Sequence, residues 1–194
     1  VAEDRSQYEQ LALQAARRAV ELDNGSAYAH LALGGAYIWL NEHELSIAET
    51  RMAVELNPSN VQARFALGNR LDIVGCADEG MPLLESSLQL SPRDPHSHIY
   101  FAQLARAYLN AREYDKAHDC LRESIRRNPD HPHTYHILAI CLGHLGRHEE
   151  ARQAADRCEN LHPGFIKKRA HWNIYVDPAA NAHLTEGLRK AGIV

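Results

Sequence analysis

The sequence is short of most things that would announce a chemistry. Basic residues do not outnumber acidic ones: 21 Lys and Arg stand against 25 Asp and Glu, a formal net charge of −4. Nothing electrostatic therefore draws the chain to nucleic acid or to an anionic membrane. Long apolar runs are missing too. The longest, around Leu31 to Leu40, is too short to cross a bilayer, and no secretory signal is present. Cysteines number four, Cys76, Cys120, Cys141 and Cys158, with no CxxC pair among them. A disulfide framework belongs to small secreted chains with poor cores. These four read as reduced thiols packed as small hydrophobes in a cytoplasmic protein.

Catalytic signatures are absent as well. There is no GxSxG, no phosphate-binding loop, no dinucleotide fingerprint and no HExxH. Leu33-Gly34-Gly35 sits inside a helical apolar pattern, so it is not a phosphate cradle. The expectation is a chain that is not an enzyme and carries no cofactor. The 13 histidines are the one plentiful chemical resource. His131, His133 and His136 lie close in sequence, and His133 and His136 share a helix face. His144 and His148 flank a turn. Two imidazoles at helical spacing hold zinc only when further ligands converge, and no cysteine stands at a known metal spacing from them. They read as surface and groove histidines, with no metal.

What is there is a period. Ala27 to Asn60 spans 34 residues and holds two apolar helical runs joined by a polar turn at Asn41-Glu42. Small residues fall where two helix backbones must come close. A lone helix pair cannot bury its apolar face, so the pattern requires neighbours, and they follow. Val61 to Asp94 repeats the spacing with Leu67-Gly68, Leu71, Gly80 and Pro92. His98 to His131 does so with Leu104-Ala105, Tyr108, Ala117, Ser124 and Pro129, and Pro132 to Phe165 with Leu138-Ala139, Leu142, Ala151, Cys158 and Pro163. Pro92 and Pro129 are 37 residues apart rather than 34, which places three extra residues between units two and three.

Several stretches qualify this regularity. Tyr8 to Leu22 reads as a helix with Leu11, Ala12, Ala15, Ala16 and Ala19 on one side. It matches the second helix of a unit whose first helix is missing, so the chain reads as cut from something longer. Asn24-Gly25-Ser26 ends that helix and offers Ser26 as the next N-cap. Pro82 is expected in the first turn of its helix, with the start near Gly80 or Met81, because proline in a helix interior costs about 3 kcal/mol. Ser91-Pro92-Arg93-Asp94-Pro95 is a stiff connector. After Pro163-Gly164, Phe165 to Trp172 is expected to form a short amphipathic helix. Asp177-Pro178 then opens a last helix, with Leu184, Leu188 and Ala191 on one face and Gly192 as its stop. This tail would cover the last apolar face of the array.

The unit resembles the tetratricopeptide repeat. His30 stands at the large position, Leu33-Gly34 and Tyr37 follow, Ser46 and Ala53 take small positions and Pro58 closes the unit; Thr50 departs from the usual aromatic. The resemblance implies an all-α fold, a right-handed α-α superhelix with a C-terminal capping helix. Its divisions are a truncated repeat (1–26), repeats at 27–60, 61–94, 98–131 and 132–165 with an insertion at 95–97, and a helical cap (166–194). The connector at Ser91 to Pro95, Pro163-Gly164-Phe165, and Asp177-Pro178 leading to Glu186-Gly187-Leu188-Arg189-Lys190-Ala191-Gly192 are similar to a bacterial family. There, such arrays form the C-terminal half of proteins with an N-terminal adenylate/guanylate cyclase or winged-helix domain.

In the tetratricopeptide family the first helix of each pair lines a concave groove through its positions 2, 5, 9 and 12. The resemblance implies Tyr28, Leu31, Gly35 and Ile38 in the first unit, and Gln62, Phe65, Asn69 and Asp72 in the second. It implies Ile99, Ala102, Arg106 and Leu109 in the third, and His133, His136, Ile140 and Gly143 in the fourth. Leu31 and Gly35 replace the Lys and Asn of the chaperone-binding clamp, so chaperone tails are not expected there. Tyr28 and Phe65 would be apolar anchors, Asn69 and Arg106 polar readers. If His133 and His136 line the groove, binding should change between about pH 5.5 and 7.5. Two roles follow: a module that binds a protein or peptide in the groove, or the regulatory, oligomerising half of a multidomain cyclase or transcription activator. The unpaired first helix also offers an apolar face for self-association.

Overall fold

The computed structural model describes residues 2–169 and 173–194, with side chains from residue 7 onward. Among the described residues there are eleven α-helices and no strand. Helix α1 (Ala2–Leu22) is followed by pairs: α2 (Ala27–Trp39) with α3 (His43–Leu56), and α4 (Val61–Ile73) with α5 (Ala77–Leu90). Then come α6 (Ser97–Asn110) with α7 (Tyr114–Arg127), and α8 (Pro132–His144) with α9 (His148–Leu161). The tail holds α10 (Phe165–Arg169) and α11 (Pro178–Lys190); the remainder of the helix expected over 165–172 lies outside the described residues. Each pair packs mainly on itself and then on the next, which makes a solenoid.

Local chemistry fixes the pairs. Ser26 and Asn60 cap α2 and α4, accepting from the amides of Ala29 and Ala63. Every turn within a pair carries one residue in the left-handed region: Asn41 at φ 59°, Gly75 at 88°, Arg112 at 63° and Gly146 at 73°. The next amide then reaches back to the first helix. Glu42 donates to Tyr37 O at 3.0 Å, Cys76 to Leu71 O at 2.8 Å, Glu113 to Tyr108 O at 2.8 Å and Arg147 to Leu142 O at 2.9 Å. This is the Schellman closure. It begins α5 at Ala77, not near Gly80, and so leaves Pro82 inside the helix. The cost is contained, because Pro82 is exposed and removes only the amide that would have met the exposed Asp78 carbonyl.

The small residues stand at the crossings. A Cβ added to Gly68 would come within 2.7 Å of Gly80 O, and one on Gly34 within 2.4 Å of Thr50 Oγ1. Ala105, Ala117, Ala139 and Ala151 hold the equivalent places in the later pairs and are fully buried. So are Ala53, Ser87, Ser124 and Cys158, one per unit. On α1 the buried residues are Leu13 and Ala16, packed with Val20 against Leu33, Ala36 and Tyr37. Leu11, Ala12 and Ala15, expected on the covered side, are exposed. Helix α1 has α2 as its neighbour, and α2 covers a narrower stripe than two neighbours would.

Candidate functional site

Successive first helices α2, α4, α6 and α8 touch one another, whereas the second helices do not approach each other as closely. The first helices therefore line the inner, concave side. The tail lies in this groove. Helix α11 packs on α8 and then on α6, covering the last repeat from inside, while α10 rests on α9. The α8–α11 crossing is a backbone contact: a Cβ on Gly143 would meet Gly187 O at 1.9 Å, and one on Gly187 would meet Ile140 O at 2.6 Å. The rings of Tyr114, His144 and His183 stack beside it, His144 and His183 with centroids 4.1 Å apart. His144 Nε2 lies 2.9 Å from His183 O.

Before α11, residues 173–177 form a strap that crosses to α4. Its Val176 amide donates to Ile73 O at 3.0 Å, and Tyr175 Oη donates to Asp72 Oδ2 at 3.0 Å. The Arg106 guanidinium lies 5.3 Å from the Tyr175 ring centroid. Its Nη2 donates to Asp72 Oδ2 at 3.2 Å and to Asn69 Oδ1 at 2.6 Å. Asp72 and Arg106 are buried, 1% and 5% exposed. Asn181 on α11 holds the strap from behind. Its Oδ1 accepts from the amides of Ile174 and Tyr175, and its Nδ2 donates to the carbonyls of Tyr175 and Asp177. Burial and the Asp72 carboxylate push the Tyr175 phenol up, against the downward pull of Arg106, so it stays a protonated donor.

Beside the strap a chamber of about 710 Å³ remains. Ile38 and Trp39 of α2, with Asn41 of the turn after it and His43 at the start of α3, form one side, and Asn69 and Ile73 of α4 follow. Ile99, Gln103 and Arg106 of α6, then His131, Pro132 and His133 at the start of α8, continue the wall. The tail closes it with Phe165, Arg169, Asn173 and Ile174. Deeper in, a void of about 30 Å³ touches His136, Ile140 and Leu188.

Of the groove residues expected from the repeat frame, the chamber gathers Ile38, Asn69, Ile99, Arg106 and His133. Asp72 lies under the strap, joined to Tyr175 and Arg106. His136 and Ile140 are buried beneath the tail. Phe65 packs on Tyr100 between repeats, the two rings tilted at 37° with centroids 4.4 Å apart. Tyr28, Leu31 and Gln62 do not border the chamber; Tyr28 and Gln62 are exposed and Leu31 is half-buried. Ala102 and Leu109 are fully buried. The frame did not single out Trp39, Gln103, Phe165 or Arg169. Trp39 carried the one usable signal, a large aromatic at the open end of a first helix.

Two histidines at the chamber and beneath the tail, His133 and His136, hold protons less readily than an ordinary imidazole. Burial first, then His136 and the guanidiniums of Arg169 and Arg106, hold His133 well below the ordinary imidazole range. Burial and then Arg169 carry His136 down to about 4. The switch expected between pH 5.5 and 7.5 therefore gives way to titration in acid. Among the described residues, no three His, Cys, Asp or Glu side chains converge as a metal site. Cys141 and Cys158 are buried and Cys76 is exposed, and burial pushes the thiols of Cys141 and Cys158 up to about 12.

Residues 103–164 match the tetratricopeptide repeat family model. The peroxisomal targeting signal receptor of Saccharomyces cerevisiae is 31% identical over 93 residues, 48% of this chain and 14% of the receptor. Two solved structures share the architecture. The crystal structure of MamA superposes with a TM-score of 0.67 at 18% identity, covering 88% of this chain and 96% of that one. The crystal structure of YrrB, described as a TPR protein with an unusual peptide-binding site, gives 0.64 at 20% identity over 93% and 92%. The chain shares the right-handed α-α solenoid fold of these structures, and the tetratricopeptide repeat match covers residues 103–164. No helix among the described residues is long and apolar enough to cross a membrane.

Proposed function

We propose that this array is a non-catalytic scaffold that binds a peptide or partner domain in its concave groove. The observation that carries the reading is the chamber of about 710 Å³ on the inner face, walled by four successive repeats and the tail. It combines apolar walls with amide, imidazole and guanidinium groups, the mixture by which a pocket takes an extended chain. The peptide-binding site named for YrrB and the targeting-signal recognition named for the yeast receptor support the same reading. The test is selection of peptides by display on the full chain. Selected peptides should lose at least tenfold in affinity with Trp39→Ala or Ile38→Ala, and nothing with Leu90→Ala on α5. Equal affinity across all three variants, each with an unchanged melting curve, would move the site elsewhere.

A place as the regulatory half of a cyclase or transcription activator rests on the connector and tail motifs alone. Self-association is a separate matter. Tyr8, Leu11 and Leu22 are 65%, 52% and 70% exposed on α1, and sedimentation across a concentration series tests whether that face pairs.

A further inference from the structure

The strap and α11 cover Asp72, Arg106, His136, Ile140 and Gly143, positions that the repeat frame assigns to an open groove. Imidazoles stand in this contact. His183 of α11 is stacked on His144 of α8, and Tyr114 of α7 flanks both rings. The charged groups facing the pair are Arg112 from the turn before α7 and, on α11 itself, Glu186 and Lys190. Glu186 is already held in a two-point ion pair by Arg189. Burial is the main cause that lowers both imidazoles; the carbonyls of His183 and Leu109 that accept from them pull the other way without overcoming it. His136 is 6% exposed and shares a void with Ile174 of the strap and Leu184 and Leu188 of α11. Neither of its ring nitrogens has a hydrogen-bond partner among the described residues. The titratable groups around it are Arg169 of α10, His133 of its own helix and the buried thiol of Cys158 on α9.

We propose that the tail is a pH-gated cover: in acid, protonation of His136, His144 and His183 releases α11 and the strap and opens the inner face of repeats three and four, while the helix pairs stay folded. With the tail docked, two stacked rings cannot both take a proton without repulsion, and a charge on His136 would be buried without a partner. With the tail released, all three rings return to water and to the ordinary imidazole range. The released state therefore binds more protons. Docking is at full strength above about pH 6.5 and weakens as pH falls below it, each ring contributing up to about tenfold per pH unit. A partner would meet a covered groove near neutrality and an open one in acid. This gate belongs to the tail alone, so its test needs no ligand and does not depend on the peptide-binding reading.

The experiment is hydrogen exchange on the full chain at about pH 7.5 and about pH 5, each amide corrected for its intrinsic rate. Protection along α11 and at Val176 should fall at least tenfold at the lower pH, with α2 to α5 changing less than threefold. His144→Gln combined with His183→Gln removes the titration of the stacked pair, and the fall along α11 should shrink at least threefold. Gly187→Leu, which displaces α11 by steric means at either pH, should show no such fall, because its tail starts unprotected. Circular dichroism checks the helix content of both variants first. If the double variant does not fold, His183→Gln alone takes its place, with the fall expected to shrink at least twofold. Equal protection of α11 at the two pH values overturns the gate. So does an equal loss across α2 to α5, which is global unfolding, and so does a full-sized fall in the folded histidine variant, because acid would then be acting elsewhere.

Discussion

Tyr175 reaches 103 residues back along the chain to donate its phenolic hydrogen to Asp72 Oδ2 at 3.0 Å. This contact decides the shape of the groove. Asp72 comes from the second repeat and Tyr175 from the strap after the last, so the tail spans the array rather than merely ending it. The Arg106 guanidinium is bound to the same carboxylate oxygen, and the three groups form one buried network.

Tyr175→Phe keeps the ring and removes the donor, so Asp72 is left buried with one partner fewer. The expected loss is about 1–3 kcal/mol of unfolding free energy, read by urea denaturation. A loss under about 0.5 kcal/mol, the range of an ordinary surface change, would mean the contact does not form in solution. Arg106→Ala breaks the buried pair outright and should cost about 3–5 kcal/mol.

The α8–α11 crossing admits no side chain. Gly187→Leu should undock α11, because even a Cβ there meets Ile140 O at 2.6 Å. Hydrogen exchange should show the α11 amides losing protection while α2 to α5 keep theirs. Uniform loss across the chain would instead indicate that the array and tail unfold as one unit.

The turns offer a cleaner comparison. Gly146 stands at φ 73° with nothing within 4 Å of an added Cβ, so Gly146→Ala measures backbone strain alone. It should cost about 1 kcal/mol. Arg112, at φ 63° in the equivalent turn, already bears that strain, and Arg112→Gly should be neutral or slightly stabilising in a thermal melt.

Acid should weaken the fold through His136. Its imidazole titrates at about 4 when folded, against the ordinary 6.5. Between those values the unfolded chain binds more protons than the native one, so stability falls as pH drops from 6.5 towards 4 and the loss levels off below that. The full span is about 3 kcal/mol at about 1.4 kcal/mol per pH unit, and His133 shifts in the same direction. Urea melts at pH 7 and 4.5 should show the loss, and His136→Leu should reduce it.

The repeat frame was legible because its determinants are local and periodic. Small residues recur where helices cross, and the left-handed turn residue recurs in every pair, so one well-formed unit predicts the rest. Helix propensity alone puts Pro82 in a first turn, but the turn closure at Gly75 and Cys76 overrides it and starts α5 at Ala77. The groove was legible only in part. Ile38, Asn69, Ile99 and Arg106 follow from helix periodicity. Phe65 occupies a groove position in the frame but is drawn between repeats by the ring of Tyr100. The path of the strap has no period behind it: Tyr175 to Asp72 is a single long-range pairing. The fate of His136 follows from that path, since the tail is what buries it.

The most direct test of the account is hydrogen exchange on the full chain with and without a selected peptide. Protection should rise at the ends of α2 and α4, along α6, at the start of α8 and along the strap, the segments that wall the chamber. Protection rising instead on α3, α5, α7 and α9, with the chamber walls unchanged, would contradict it.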